Sequence, residues 1–359
     1  MPEVVVVAMS GGVDSSVAAA LLKEEGYQVV GVTMQLWPSE EPAGNEREFG
    51  GCCGIGAIVD AQRVAQELDI PHYVLRFREV FARKVIADFC WEYRRGRTPN
   101  PCIRCNQHVK FGALLQRANE LGADFLATGH YARIEQVDKR YVLRKGIDSA
   151  KDQSYALYTM TQDQLKHTLM PLGNLTKQMV RQIAQGFNLP VAEKAESQDI
   201  CFIPDNDYPG FLENYMMAKP GPIMDRKGNF LGEHRGIIHY TVGQRRGLGI
   251  SAGEPLYVLA IDPDRNAVVV GSRSEIFGSE IVATEVNWIL LEKPTRPIAV
   301  EAKIRYLHKE ARAMVTPLGN GKTHVRFEQP QMAIAPGQAV VFYQGDAVVG
   351  GGTIDRMEE

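Results

Sequence analysis

Apolar and polar positions along the first 165 residues predict repeated strand and helix units. Residues 4–8 form a short, fully apolar run, which favours a buried parallel strand. Residues 17–25 are rich in Ala and Leu and end before Gly26, as expected of a helix. The same patterns predict further strands at 28–36, 71–77 and 124–128, and further helices at 57–68, 79–93 and 106–121. Repeated units of this kind predict a parallel sheet with helices on both faces.

The pattern changes along the rest of the chain. Residues 131–145 are typical of a hairpin, and 152–217 are mostly helical, with Thr176 as a cap for a helix at 177–187. From Pro220 onward short β runs recur at 256–261, 267–270, 299–306, 324–327 and 340–343, which indicates a small closed barrel or sandwich. The expected fold is therefore α/β, with a parallel-sheet nucleotide-binding domain (1–165), a small, mostly helical central domain (166–219) and a C-terminal β domain (220–359).

The turn after the first strand is the strongest chemical signal. It reads S-G-G-V-D-S-S over residues 10–16, so Gly11 and Gly12 break the strand, and Asp14, Ser15 and Ser16 are expected to cap the helix. Backbone N–H groups and the positive end of a helix would then meet at one place, which predicts a cradle for a phosphate chain. The turn lacks the lysine of G-x-x-x-x-G-K-[ST], and it is not the dinucleotide pattern G-x-G-x-x-G.

Composition and charge bear on whether the protein binds nucleic acid, enters a membrane or depends on disulfides. The net charge is −3, so no global basic field indicates nucleic acid, although a local basic face remains compatible with it. No run approaches the roughly 20 apolar residues that span a bilayer. The first residues, M-P-E-V-V, carry no basic segment, so we expect neither a signal nor a transit peptide, no membrane partner and a cytoplasmic location. Six cysteines in 359 residues do not indicate a disulfide framework.

Two cysteines are candidates for chemistry. Residues 97–106 read R-T-P-N-P-C-I-R-C-N, and the two prolines argue against a regular helix at that point. Cys105 then falls near the start of the next helix beside Arg104, where the helix end and nearby cations are expected to lower the thiol pKa. Cys201 lies in E-S-Q-D-I-C-F-I-P. Cys90 is expected in the core, and the Cys52-Cys53 pair in a glycine-rich loop is expected to have no essential role.

Basic residues accompany these loops and predict an RNA partner, although each alone is most often a solvated surface residue. They are Arg94, Arg95, Arg97 and Arg104 near the cysteines; Arg133, Arg140, Arg144 and Lys145 on the hairpin; Arg245 and Arg246; and Lys303 and Arg305.

Six segments in this order resemble one family. They read A-M-S-G-G-V-D-S-S, G-R-T-P-N-P-C-I-R-C-N, A-T-G-H-Y, K-D-Q-S-Y-A-L, S-Q-D-I-C-F-I-P and Y-T-V-G-Q-R-R-G-L-G-I. They are similar to the bacterial tRNA-specific 2-thiouridylases, the MnmA family of the PP-loop ATP pyrophosphatase superfamily. The resemblance extends along nearly the whole chain and favours a barrel at its C-terminal end.

The resemblance implies ATP-dependent 2-thiolation of the wobble uridine of tRNA, with AMP and pyrophosphate as products. It implies sulfur transfer from a persulfide on Cys201, with Cys105 as nucleophile, and a persulfide donor or sulfur-relay protein as partner. The implied ATP-binding residues are Ala8, Met9, Ser10, Gly11, Gly12, Val13, Asp14, Ser15, Met34 and Gly129, and residue type and position suggest that Asp14 helps to place Mg²⁺. The implied tRNA-binding residues are Asn100, Pro101, Cys102, His130, Lys151, Asp152, Gln153, Arg305, Tyr306 and Gln338.

Cys102 departs from the family pattern, in which many members have Asp. It creates a C-x-x-C motif, and with Cys201 it offers three thiolates that could hold a 4Fe-4S cluster, or zinc with a fourth ligand. The persulfide scheme is preferred, and the cluster is its alternative. A third interpretation is that Cys102 is a neutral substitute and that the pair does redox work only. Two other functions remain open: an AMP-forming PP-loop ligase acting on another substrate, and a non-enzymatic RNA-binding protein with an ATP switch.

Overall fold

A computed structural model describes residues 2–36, 54–195, 200–203 and 207–355. The chain divides into two compact units. The first unit contains residues 1–85, 102–206 and 346–348, and the second contains 86–101, 207–345 and 349–359. Cys52 and Cys53, with the loop predicted around them, lie outside the described residues.

The helices and strands have the following bounds. The α-helices are α1 (Val13–Glu24), α2 (Ile55–Glu67), α3 (Arg78–Phe81), α4 (Ala87–Arg94), α5 (Pro101–Cys105), α6 (Leu115–Glu120), α7 (Gln162–Lys166), α8 (Lys177–Gly186) and α9 (Tyr208–Glu213). Ala82–Ile86 and Asn106–Leu114 are π-helical, and Ser154–Leu157, Pro171–Asn174, Ile237–His239 and Arg273–Ile276 are 3₁₀ turns. The strands are β1 (Val4–Ala8), β2 (Gln28–Gln35), β3 (His72–Arg76), β4 (Phe125–Ala127), β5 (Ala132–Val137), β6 (Arg140–Lys145), β7 (Thr168–Leu169), β8 (Gly221–Met224), β9 (Phe230–His234), β10 (Tyr257–Asp262), β11 (Ala267–Gly271), β12 (Phe277–Trp288), β13 (Ile298–Lys303), β14 (Ala311–Gly319), β15 (Lys322–Met332), β16 (Ala339–Gln344) and β17 (Ala347–Asp355).

A parallel sheet forms the centre of the first unit, as predicted. Its strand order is β3-β2-β1-β4-β7, and each described pairing within it is parallel. β1 is central, and its apolar run contains side chains of no measurable exposure, such as Val5 and Val7. The chain runs from β1 to β2 on one side and later returns to β4 on the other. The sheet therefore has a topological switch point between β1 and β4, where ligands bind in open α/β sheets.

The described residues of the predicted central helical segment contribute to the first unit. β7 extends the parallel sheet, and Val180 and Ala184 of α8 are buried in the same core as α1. Thr176 caps α8 as predicted, because its hydroxyl accepts a hydrogen bond from the Met179 N–H. The boundaries at 165 and 219 stay predictions, and the packing groups the described residues of the segment 166–203 with the sheet.

The β-rich end of the chain contains two separate β bodies. β8 to β11 form a four-stranded sheet in the order β10-β11-β8-β9 within the described residues. β12 to β17 form the antiparallel order β12-β15-β14-β13-β16-β17, and an additional pairing of β12 with β17 closes it into a barrel. The predicted barrel is confirmed, and the predicted region 220–359 also contains the smaller sheet. The two patterns look alike in sequence because both consist of short strands separated by turns.

Candidate active site

The turn between β1 and α1 differs from the prediction in the residue that caps the helix. α1 starts at Val13, so Asp14, Ser15 and Ser16 lie in its first turn rather than before it. Gly12 is the N-cap, and it has no side chain with which to cap the helix; among the described residues no side-chain cap bond is present there. The prediction that Asp14 and the serines cap the helix was wrong in this respect. Its consequence favours the predicted cradle, because uncapped N–H groups remain available to an anion.

Serine hydroxyls hold the turn from the inside. The hydroxyls of Ser15 and Ser16 both donate to the Gly12 carbonyl, at 3.2 and 2.9 Å. The Ser10 N–H donates to Ser15 Oγ at 3.1 Å. These hydrogen bonds fix the conformation of the turn.

Two glycines allow backbone segments to approach the turn closely. A Cβ atom on Gly129, which follows β4, would lie 2.7 Å from both the Asp14 carbonyl carbon and the Ser15 nitrogen. Gly11 has a φ of +67°, and a Cβ there would lie 2.2 Å from the Ala57 carbonyl oxygen. Both positions require glycine. Met34, buried near the end of β2, lies at the same carboxyl edge of the sheet.

Two lysines that the sequence analysis did not select meet this turn. Lys177, the first residue of α8, places Nζ 2.7 Å from Asp14 Oδ1, and its side chain is only 12% exposed. Lys194 Nζ donates to the Gly11 carbonyl at 2.9 Å and pairs with Asp60 at 2.6 Å. The glycine turn therefore has lysines beside it that come from distant positions in the chain. The helix α8 was predicted from the sequence, but nothing in the sequence near Lys177 indicates that its first residue contacts the glycine turn.

Tyr131 connects this turn to the segment 151–153. Its hydroxyl donates to Asp14 Oδ1 at 2.7 Å, and its N–H donates to Gln153 Oε1 at 3.0 Å. Asp152 is buried and accepts bonds from the N–H groups of Gly146 and Ser154. Asp152 and Gln153 therefore organise the loop beside Asp14. Their predicted roles against tRNA, like that of the half-buried Lys151, stay predictions.

His130 is a core residue in this structure. It is 7% exposed, and Nδ1 lies 2.8 Å from the Thr128 hydroxyl. Its ring centroid is 5.8 Å from that of Phe111. Burial, aided by the charge of Lys110, holds the pKa of His130 well below its ordinary value, so the ring is neutral at pH 7. Its predicted role against tRNA stays a prediction.

The cysteine segment is helical, in contrast to the prediction. α5 begins with Pro101 and continues directly into the π-helical turn at Asn106–Leu114 and then into α6. Proline is compatible with the first position of a helix, because the N–H that it lacks has no partner there. Cys102 is exposed and Cys105 is buried at 8% exposure. Asn100, the residue before α5, is half-buried.

Cys201 belongs to the same unit as this helix. The next residue, Phe202, is buried and packs edge-on against Phe81, with ring centroids 5.6 Å apart. Phe81 ends α3, which packs against the π-helical turn that follows Cys105. Cys105 and Cys201, which are far apart in sequence, therefore lie next to elements that pack against each other. The π-helical turn also meets His130 through Phe111, and His130 directly follows Gly129 in the sequence.

The described residues do not support the cluster alternative. Among them, no three His, Cys, Asp or Glu side chains are grouped closely enough to hold a metal ion. Cys102, Cys105 and Cys201 all lie within the described ranges. The three thiols therefore do not form a ready ligand set for iron–sulfur or zinc in this arrangement.

Several predicted basic residues are already paired. Arg97 is buried, binds Glu92 at 2.6 Å and pairs with Asp355. On the hairpin, Asp346 pairs with both Arg133 and Arg144. These arginines stabilise the fold, so they supply less charge for RNA than the sequence suggested.

The remaining predicted tRNA residues lie in the second unit. Tyr306 is 37% exposed, and Lys303 Nζ lies 5.9 Å from its ring centroid. Arg305 donates to the Met332 carbonyl at 3.1 Å. Gln338 donates to the Thr98 carbonyl at 2.8 Å. Tyr306 is thus the outward-facing member of this set.

Comparison with known proteins identifies the family. Family models match residues 3–205 (tRNA methyl transferase HUP domain), 209–272 (tRNA methyl transferase PRC-barrel domain) and 278–354 (aminomethyltransferase beta-barrel domain). The tRNA-specific 2-thiouridylase MnmA 1 of Caldanaerobacter subterraneus subsp. tengcongensis is 55% identical over 357 residues, covering 98% of each chain. The tRNA-specific 2-thiouridylase MnmA of Desulforamulus reducens is 55% identical over 356 residues, covering 98% of this chain and 97% of the relative. The chain belongs to the MnmA family.

Membership in the MnmA family confirms the resemblance drawn from the six segments. The three matched regions also agree with the fold, because the middle one spans the four-stranded sheet and the last spans the closed barrel. No helix in the described residues is long and apolar enough to cross a membrane.

Proposed function

We propose that this MnmA-family protein uses ATP to replace the C2 oxygen of the wobble uridine of tRNA with sulfur. The relatives named above are called tRNA-specific 2-thiouridylases. The observation that carries the proposal is that one packed unit contains both an uncapped, glycine-lined helix start and the helix with Cys105. Activation of an oxygen by a nucleotide and delivery of sulfur by a thiol require these two parts together.

The turn at 10–15 binds the phosphates of ATP in this proposal. The N–H groups of the first turn of α1 and its positive end attract the phosphate chain. Lys194 adds positive charge at the Gly11 carbonyl, and Lys177 does so at Asp14. Gly129 packs, without a side chain, against the backbone of Asp14 and Ser15 at the same place.

Asp14 fits the role of a Mg²⁺ ligand. Its bonds from Tyr131 and Lys177 both go to Oδ1. Mg²⁺ in nucleotide sites is usually bound by one or two carboxylates together with phosphate oxygens, so one aspartate suffices. When bound, the ion neutralises phosphate charge. Tyr131 and Lys177 keep the carboxylate in place at the start of α1.

ATP solves the problem of a poor leaving group. The C2 oxygen of uridine attacks the α-phosphorus of ATP, pyrophosphate leaves, and the oxygen becomes part of a good leaving group, AMP. The terminal sulfur of a Cys201 persulfide then attacks C2 and displaces AMP. An unstacked base in the anticodon loop can reach such a site, whereas a base within a duplex cannot.

Cys105 completes the sulfur transfer. Its thiolate attacks the inner sulfur, on Cys201, and the S–S bond to the base breaks. The base leaves as 2-thiouridine, and a Cys105–Cys201 disulfide forms. The transferred sulfur is reduced by two electrons and the two thiols are oxidised by two, so the step balances. A persulfide donor or sulfur-relay protein in the cytoplasm reloads Cys201 after the disulfide is reduced.

Purified protein incubated with ATP, a persulfide source and unmodified tRNA tests the proposal. Mass analysis of the nucleosides should show 2-thiouridine, and AMP should appear in equal amount. Cys105→Ser and Cys201→Ser should each abolish thiolation while ATP binding survives. Full activity in either variant would contradict the assigned roles.

The same incubation separates the alternatives. The names of the family models mention methyl transfer, so parallel samples should contain S-adenosylmethionine in place of ATP. A methylated nucleoside in those samples would indicate methyl transfer instead of thiolation. AMP release from ATP that depends on ammonia would indicate a ligase reaction. Absence of AMP formation upon tRNA addition would favour a binding protein.

A further inference from the structure

Cys102 and Cys105 lie on successive turns of one helical segment, but they differ in exposure. Cys102 is exposed in the first turn of α5, and Cys105 is only 8% exposed. Residues three apart in a helix lie on the same face, with Cα atoms about 5 Å apart. That distance falls within the roughly 4.4–6.8 Å range of disulfides. The pair therefore combines an accessible thiol with a sheltered one.

The proposed reaction leaves a disulfide that is difficult to reach. Cys105 is buried, and Cys201 is half-buried beside Phe202 and Ile203, which are each 1% exposed. Reduction by exchange needs a thiolate to approach one sulfur along the S–S axis, so its rate depends on access. A bulky protein reductant has little access to Cys105 or Cys201 in this packing.

We propose that Cys102 is the resolving thiol of the enzyme, an inference that rests on the proposed function. The Cys102 thiolate attacks the Cys105 sulfur, the Cys105–Cys201 bond breaks, and Cys201 leaves as a thiolate. One disulfide is exchanged for another, so no electrons are gained or lost. An external dithiol then reduces the exposed Cys102–Cys105 disulfide and becomes a disulfide itself. Cys201 is free for the next persulfide.

The position of Cys102 also sets the order of events. The family resemblance places residues 100–102 against the target base, so bound tRNA would cover the Cys102 thiol. Resolution consequently follows release of the product tRNA. C-x-x-C motifs near a helix start serve thiol–disulfide oxidoreductases in the same way, with the accessible cysteine exchanging with the outside.

Disulfide mapping tests the proposal without tRNA. The intact protein is oxidised with diamide, digested without reduction and mapped by mass spectrometry. We expect Cys102–Cys105 in the wild type and Cys105–Cys201 in Cys102→Ser. A Cys105–Cys201 disulfide as the main product in the wild type would overturn the proposal. Because this measurement needs neither ATP nor RNA, its result holds even if thiolation is never observed.

Turnover supplies the second test. A single turnover of persulfide-loaded enzyme is measured first in the wild type and in Cys102→Ser, so that any effect of residue 102 on tRNA binding is separated from resolution, which follows transfer. The steady-state rate of Cys102→Ser with a protein dithiol reductant should fall at least about tenfold more than its single-turnover rate. Cys90→Ser is the matched control and should keep both values, since Cys90 lies on α4 and burial raises the pKa of its thiol. An unchanged steady-state rate in Cys102→Ser, or a single-turnover rate that falls as far as the steady-state rate, would refute the resolving role.

Discussion

Gly129→Ala should weaken ATP binding, and the structure gives the reason. The added Cβ would lie 2.7 Å from two backbone atoms of Asp14 and Ser15. Carbon contacts are favourable near 3.5–4.0 Å, so the two segments must separate by about 0.8 Å. Neither contact is the end of a flexible side chain, so the backbone at the start of α1 has to move.

The expected magnitude follows from the cost of overpacking. Inserting a methyl group into a packed site costs about 1–3 kcal/mol. Without ATP the first turn of α1 can relax away from residue 129, but nucleotide binding needs the original position of its N–H groups. The strain then appears as weaker binding, by roughly 5- to 140-fold at 1.4 kcal/mol per factor of ten.

Calorimetry with a non-hydrolysable ATP analogue measures this effect directly. Gly186→Ala is the control, because its Cβ meets nothing within 4 Å at the end of α8. The control should bind the analogue normally, and thermal unfolding of both variants shows whether the fold is kept. A folded Gly129→Ala variant with wild-type affinity would refute the assignment of this edge to the nucleotide.

Three further perturbations test the site and its support. Lys177→Met removes the ammonium from Asp14 and should weaken ATP binding about 10- to 100-fold, as loss of a charged hydrogen bond predicts, whereas Lys177→Arg should retain most affinity in the same titration. Arg97→Met leaves the buried Glu92 carboxylate without its closest partner and should cost about 3–5 kcal/mol in urea unfolding; a Glu92→Leu/Arg97→Met double variant that is no more stable than the single variant would contradict this. Burial raises the pKa of Asp346, but the hydrogen bonds from the hairpin arginines outweigh burial and lower the pKa overall. The carboxylate therefore stabilises the fold at pH values above its unfolded-state pKa, and this stabilisation is lost as the pH falls through the folded-state pKa. Asp346→Asn should therefore be less stable than the wild type at pH 7 and equal to it near pH 2, and a difference that persists in acid would argue against the ion pairs.

The sequence predicted those parts of the fold that depend on local pattern. The apolar run of β1, the hairpin of β5 and β6 and the Thr176 cap were each visible within a few residues, and the structure confirms them. The helix start at Pro101 was missed because proline was treated as a helix breaker. Proline breaks a helix interior, whereas the first position tolerates it, and local sequence does not reveal which position it occupies.

The candidate site was predictable only where its residues are close in sequence. The glycine turn was identified from seven consecutive residues. Lys177 and Asp14 are separated by 163 positions, and only the packing of α8 against α1 brings them together. A lysine at the start of an amphipathic helix has no local feature that distinguishes a phosphate site from solvent.

The sequence was least able to predict which arginines are available to RNA, because their acidic partners are also far away in the chain. Arg133 and Arg144 were counted toward an RNA surface, but Asp346, about 200 residues away, binds both. An arginine that is paired with a carboxylate must first give up that ion pair, so it gains less free energy from binding a phosphate. Exposed cations that are not paired in this way release counterions, and that release drives RNA binding. The salt dependence of tRNA affinity should therefore change little in Arg144→Gln. A large drop in its slope would show that this arginine leaves Asp346 for the RNA backbone.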